Sequence, residues 1–223
     1  MWITTVNGLD WPKSTNRDEQ QQSLRDMVEK LYQAHFNTIF FQIRGRGDAV
    51  YRSNFEPWSG VLTGTFGEDP GWDPLQYILD EAHRRGMEVH GWINTFLVKS
   101  NRVDTPPTIP RHLVLSHPDW LRLVDGDYWL DPGLPAVRQY LLGVVLDIVR
   151  NYDIDGIHFD FMRYPGRVFP DEAAFKKYGG QRSKEDWRRE NITTFVKTCY
   201  EEVTKLKPLV KIGSAPIGIY TNF

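Results

Sequence analysis

Four short apolar runs of the 223-residue chain each end on a polar residue: Asn7, Arg44, Asn94 and Asp160. If the runs are parallel strands, their tips gather a carboxylate, a cation and two amides around one hollow, as active centres built from several strands do. Side chains alternate along a strand, so an Asp160 that faces the hollow turns His158 and Gly156 the same way. Ile157 and Phe159 are then left to a helical layer. The same parity turns Arg44, Gln42 and Phe40 inward on the second run, and Asn94, Trp92 and His90 on the third.

A carboxylate so placed suits cleavage of a glycosidic bond, which in most such enzymes takes two carboxyl groups, one acid and one base or nucleophile. Asp160 supplies one. For the second, Asp48, Glu56 and Asp10 are candidates, beside a residue outside this chain, and Asp48 is named here as the catalytic partner. Each has a plainer reading: Asp160 could cap the loop that follows it, and Asp48 could pair with Arg44 or Arg46 to order its own loop. Trp11, Tyr51, Trp58, Trp72, Trp120, Trp129 and Tyr164 all fall beyond strand ends, where rings can stack on sugar faces or simply anchor long loops. Arg44, Arg46 and Arg163 offer cationic donors for a carboxylate-bearing sugar or for internal ion pairs. The substrate-binding set is thus Asn7, Arg44, Tyr51, Trp58, Trp92, Asn94, Arg163 and Tyr164.

Metal chemistry is the competing possibility, because His90 and His158 share the inward parity. Both lie one layer below the mouth, and the first run carries neither a His-x-His pair nor a terminal carboxylate, so they are read as polar core residues with no metal and no cofactor. Cys199 is the only cysteine, which excludes an internal disulfide and a cysteine-based zinc site, and it sits on a helical apolar face. A net charge of -2 gives no basic footprint for nucleic acid, and no apolar stretch is long enough to span a bilayer.

The elements that must position these residues follow from periodicity. Apolar runs at residues 2–6, 38–43, 88–93, 154–159 and 210–215 alternate with helical patterns, which indicates βαβ units and a parallel sheet. Leu24, Met27, Val28, Leu31 and Tyr32 form the stripe of a first helix. A second starts at Asp73-Pro74, an N-cap followed by the proline favoured at N1, and stops at Gly86. A third follows Leu134-Pro135, and a fourth spans residues 183–206 behind a capping-box-like Ser183. Helix-to-strand connections are short, whereas the strand-to-helix connections 44–72, 94–133 and 161–182 far exceed the usual ~2 to 6 residues. One end of the sheet is elaborated, the end where ligands bind in this class. The expected fold is a single-domain α/β (β/α)8 TIM barrel over residues 1–223, truncated after about five βα units. An open doubly wound sheet is the alternative, but Arg44-Gly-Arg-Gly-Asp48 is only a Gly-x-Gly leading into a long loop.

The strings themselves are also telling. Phe41-Gln-Ile-Arg-Gly-Arg-Gly-Asp-Ala-Val-Tyr51, Pro57-Trp-Ser-Gly-Val-Leu-Thr-Gly64, Glu81-Ala-His-Arg-Arg-Gly86, Val89-His-Gly-Trp-Ile-Asn94, Leu130-Asp-Pro-Gly133 and Asp155-Gly-Ile-His-Phe-Asp160 follow one another along the chain. As a set they resemble the glycosyl hydrolase-like 10 family. The resemblance implies a (β/α)8 barrel in exported or lipid-anchored bacterial proteins (periplasm, cell envelope or extracellular), some of which cut peptidoglycan glycan strands once the stem peptides are gone. It implies Asp160 as a catalytic carboxylate, with Arg44, Asp48 and Asn94 lining the groove. Many relatives place a second acid directly after that aspartate, where this chain has Phe161 followed by Met-Arg-Tyr-Pro165. The chain enters its first strand at Trp2, so a leader is expected to have been removed. A glycoside hydrolase with a glycan as its partner is the leading expectation; a glycan-binding barrel without catalysis, or a metal-dependent hydrolase, are the alternatives.

Overall fold

The structure, a computed structural model, describes residues 1–100 and 105–217, with only the backbone of Asn7 and Ser100. In chain order the strands are β1 (Trp2–Ile3), β2 (Thr38–Arg44), β3 (Glu88–Asn94), β4 (Leu97–Ser100), β5 (Leu121–Val124), β6 (Asp127–Leu130), β7 (Gly156–Asp160) and β8 (Lys211–Ser214). The helices are α1 (Arg17–Gln33), α2 (Pro74–His83), α3 (Leu113–Ser116), α4 (Pro135–Asn151), α5 (Glu172–Tyr178) and α6 (Lys184–Leu206).

Five strands form one all-parallel sheet in the order β1-β2-β3-β7-β8. The order never reverses along the chain, so the sheet lacks the switch point around which a doubly wound sheet is built. Among the described residues β1 and β8 do not pair, and the sheet is not closed.

The two faces differ as alternation requires. Ile39, Phe41, Ile43, Val89, Ile93, Ile157 and Phe159 are fully buried under the helical layer. The other face is stacked in layers across the strands, because Trp2, Phe40, His90 and Gly156 share one register, and Gln42, Trp92, His158 and Gly213 the next. The layers are sterically paired: a Cβ on Gly156 would stand 2.6 Å from Nδ1 of His90, and one on Gly213 would stand 2.8 Å from Nδ1 of His158. Trp2 lies across this face, stacked on Phe40 at 4.7 Å and edge-on to Trp92 and His158 at 5.0 and 4.7 Å.

The helices begin where their chemistry dictates. Asp73 caps α2 by accepting from the backbone N–H groups of Leu75 and Gln76, Ser183 caps α6 through the N–H of Asp186, and Asn16 caps α1. Gly86, at φ 68, supplies the left-handed turn after α2.

Three departures from the sequence reading have local causes. The first strand is only two residues long, because the N–H of Thr4 goes to Asp10 and those of Thr5 and Val6 go to the side-chain oxygen of Gln42, all near 3.0 Å. The long connection after β3 folds as a three-stranded antiparallel sheet, β4-β6-β5, whose hairpin turns at Asp125-Gly126 with φ of 51 and 85. The register of β2 against β3 slips between Gln42 and Arg44, a bulge that pairs Arg44 with Ile93.

Candidate functional site

Asp160 ends β7, paired in register with Asn94 at the end of β3, and is half-buried. Its Oδ1 accepts from the backbone N–H of Phe161 at 2.7 Å, while its carbonyl accepts from the N–H of Thr95 at the same distance. Phe161 adopts φ 48, a left-handed backbone that a bulky residue rarely takes and that local structure must enforce. The strand tip is therefore held by two hydrogen bonds, and the carboxylate is fixed by its own neighbour's amide. His158 lies one layer below; burial lowers its pKa against the opposing pull of Asp160, with His90 adding to the fall. A neutral His158 imposes no cationic partner on Asp160.

Asn94 is almost wholly buried, and its Nδ2 donates to the carbonyl of Gly45 at 2.9 Å. Its Oδ1 is buried without a partner. Asp48 lies close to that contact: a Cβ built on Gly45 would be 3.7 Å from Asp48 Oδ1, and this oxygen accepts from the N–H of Arg46 at 2.7 Å. Asp48, 8% exposed, thus stands in the loop that Asn94 ties to β3. Trp92 keeps the expected inward parity, with its indole nitrogen buried and unpartnered. Trp58 is half-buried and packs on the core, its strand-like bridge to Ala49 pinning the loop after β2. Asn7 falls in a short 3-10 turn, Val6–Gly8, and its side chain lies outside the described atoms.

Two of the expected groove residues are placed elsewhere. The bulge in β2 turns Arg44 to the side of Ile93, so it is fully buried behind the sheet instead of facing the hollow. There its guanidinium grips Glu56, with Nε at 3.0 and 2.8 Å from the two carboxylate oxygens and Nη2 at 2.7 Å from Oε1, and donates to the carbonyls of Asn94 and Thr95. Glu56, a candidate second acid, is thereby committed to an ion pair under Tyr140 of α4. Tyr51 is likewise fully buried, edge-on to Tyr152 at 5.8 Å, and burial raises its pKa. Asp10, the third candidate, bonds Thr4 through both its backbone N–H and its hydroxyl.

Tyr164 and Arg163 belong to the loop after β7. The Tyr164 hydroxyl accepts from Asn191 Nδ2 at 3.1 Å, and Arg188 lies 5.0 Å over its ring, so it knits this loop to α6. Burial raises its pKa. Arg163 rests on Phe161 and Trp129, with its guanidinium carbon 5.1 and 5.8 Å from the two ring centres.

His112 is a supporting residue that the sequence did not announce. It is buried, caps α3 by accepting from Val114 N–H at 3.3 Å, and its Nε2 meets the carbonyl of Arg46 at 2.9 Å. That pair of bonds fixes a neutral ring with the proton on Nε2, and burial lowers its pKa to match. His112 therefore props the Arg46–Asp48 turn from behind. Its position in an aperiodic loop left no signal to find. Among the described residues no cluster of His, Cys, Asp and Glu is arranged to hold a metal ion. The thiol of Cys199 is pushed up to about 12 by burial and is chemically quiet.

Comparison with known proteins adds family and fold. A family profile described as glycosyl hydrolase-like 10 matches residues 1–223. The chain is 38% identical over 245 aligned positions to the glycosyl hydrolase DigH of Escherichia coli (strain K12), covering 100% of this chain and 55% of that protein. It is 34% identical over 230 positions to the glycosyl hydrolase YngK of Bacillus subtilis (strain 168), covering 100% of this chain and 45% of that one. The chain thus spans about half the length of the curated relatives it matches. Its fold resembles that of the alpha-L-fucosidase isoenzyme 2 from Paenibacillus thiaminolyticus, with a TM-score of 0.68 at 18% identity, over 99% of this chain and 33% of that one.

Proposed function

Because the chain belongs to the glycosyl hydrolase-like 10 family, we propose that it is the working part of a glycoside hydrolase that acts on a bacterial polysaccharide, peptidoglycan glycan strands foremost. Asp160 is its catalytic carboxylate, acting as acid/base or nucleophile, and Asp48 is the candidate kept for the second group. The observation that carries the reading is the placement of Asp160: on the tip of a central parallel strand, beside Asn94, half-open and held by a single amide of its own chain. An acid that must gain and lose a proton during turnover is better served by such a place than by an ion pair, which would lock one ionisation state.

The five strands are read as part of an eight-stranded barrel. Their order without reversal supports that reading, as does the likeness in fold to a glycosidase. In that setting Asp160 and Asn94 stand at the C-terminal mouth, where barrel enzymes carry their chemistry. An exported location, in periplasm, envelope or outside the cell, fits such a substrate. The test is direct. Full-length protein incubated with peptide-free peptidoglycan strands should release new reducing ends; intact strands after prolonged incubation with folded protein would contradict the proposal.

A further inference from the structure

The three arginines near the mouth have different fates. Arg44 is spent on Glu56, and Arg46, in the loop after β2, lies 3.5 Å from Asp127 of β6. Arg163 has no carboxylate partner among the described residues. Its guanidinium rests on two rings, those of Phe161 and Trp129, whose centres are 5.8 Å apart and whose planes meet at 56°, forming an aromatic cradle. Its Nε is buried and lacks an acceptor, whereas its terminal nitrogens reach solvent. A guanidinium fixed in place, with its terminal N–H donors unused and open to solvent, is poised to accept an anion.

The place of this cation relates it to Asp160. Phe161 supplies both the ring beneath Arg163 and the amide that holds the Asp160 carboxylate, and its left-handed backbone joins the two. We infer that Arg163 is a specificity-determining residue that binds the carboxylate of an acidic sugar unit next to the bond attacked at Asp160. The inference rests on the proposed hydrolase reading and narrows it to glycans that carry a carboxylate on a sugar or on its ether substituent. The planar fork of the guanidinium matches a carboxylate through two parallel N–H···O bonds, which a lysine could not reproduce. A single uncompensated cation also fits a monoanion better than the doubly charged phosphate group, which would call for a second.

The experiment compares binding of two glycans by the full-length protein. One is a peptide-free, carboxylate-bearing peptidoglycan strand, and the other is the same strand with its carboxylates reduced to alcohols. Measured by calorimetry on Asp160→Asn protein, so that cleavage does not intervene, the acidic strand should bind roughly tenfold or more tightly, as a charge-assisted bidentate pair predicts. In Asp160→Asn protein that also carries Arg163→Gln, the gap between the two strands should close. Arg163→Lys should recover only part of it. Equal affinity of the Arg163-containing protein for both strands would overturn the inference and needs no arginine variant, so a misfolded variant cannot shelter it. A gap that survives Arg163→Gln would overturn it equally. Because binding is read and not turnover, a failure of the hydrolase reading appears separately, as absent cleavage of either strand by the wild-type protein.

Discussion

The guanidinium of Arg44 and the carboxylate of Glu56 show how one residue can be moved from a site to its foundations. Both are buried, and the pair is joined by three short hydrogen bonds. Breaking such a pair from one side leaves an uncompensated charge in the interior, at a cost of about 3–5 kcal/mol. Glu56→Gln should therefore lower the denaturant midpoint of unfolding by an amount equivalent to that loss, and a midpoint within error of wild type would show that the charge is satisfied elsewhere. The inward parity argued from alternation holds at Trp92, Asn94 and His158, and these positions were legible in the sequence. It fails at Arg44, since Gln42-Ile43-Arg44 reads like regular strand and nothing in the string marks the extra residue that a bulge inserts. Tyr51 was misplaced for a related reason: an aromatic residue in a long loop can stack on a ligand or fill the core, and residue type alone does not choose.

At the level of the elements, the loops after the strands are held by buried polar contacts as much as by apolar packing. His112 joins α3 to the turn that carries Asp48, and it does so as a neutral ring. Its pKa is lowered by burial below the ordinary value of 6.5, so the folded state binds this proton less readily than the unfolded one. The stability it contributes is fully present above that value and is lost as the pH falls below it towards the folded pKa. Melting temperatures measured from about pH 8 to about pH 5 should fall across the acid half of that range, with Lys99, Asp48 and Glu56 as the charged neighbours. In His112→Asn, which keeps an N-cap acceptor but does not titrate, the slope should flatten; an unchanged slope would assign it to other groups.

The sheet carries a second constraint of this kind. Gly156 leaves room for the His90 ring, so Gly156→Ala should cost about 1–3 kcal/mol by overpacking, seen as a lowered unfolding midpoint. A neutral outcome would mean that the imidazole swings away freely. The main strands and four long helices were legible, because periodicity and caps such as Asp73 and Ser183 agree. The β4-β6-β5 hairpin sheet was not read, although Asp125-Gly126 is a turn signal of the strongest sort. Its flanking strands are four residues each, too short to stand out from a loop by alternation. Helix α5, only seven residues, escaped for the same reason.

For the molecule as a whole, the decisive feature is a parallel sheet wound in one direction, with its polar tips at the end that carries the long connections. Strand count and loop asymmetry made that architecture readable before any side chain was placed. Closure into an eight-stranded barrel belongs to the proposal, which draws on relatives about twice as long as this chain. In that proposal the chemistry turns on Asp160, and replacing one carboxylate oxygen there by an amide nitrogen separates hydrolysis from mere binding. Full-length Asp160→Asn should retain its affinity for peptide-free glycan strands while its release of reducing ends falls roughly a hundredfold or more, as loss of an acid/base group predicts. Cleavage at the wild-type rate by the folded variant would remove Asp160 from the chemistry.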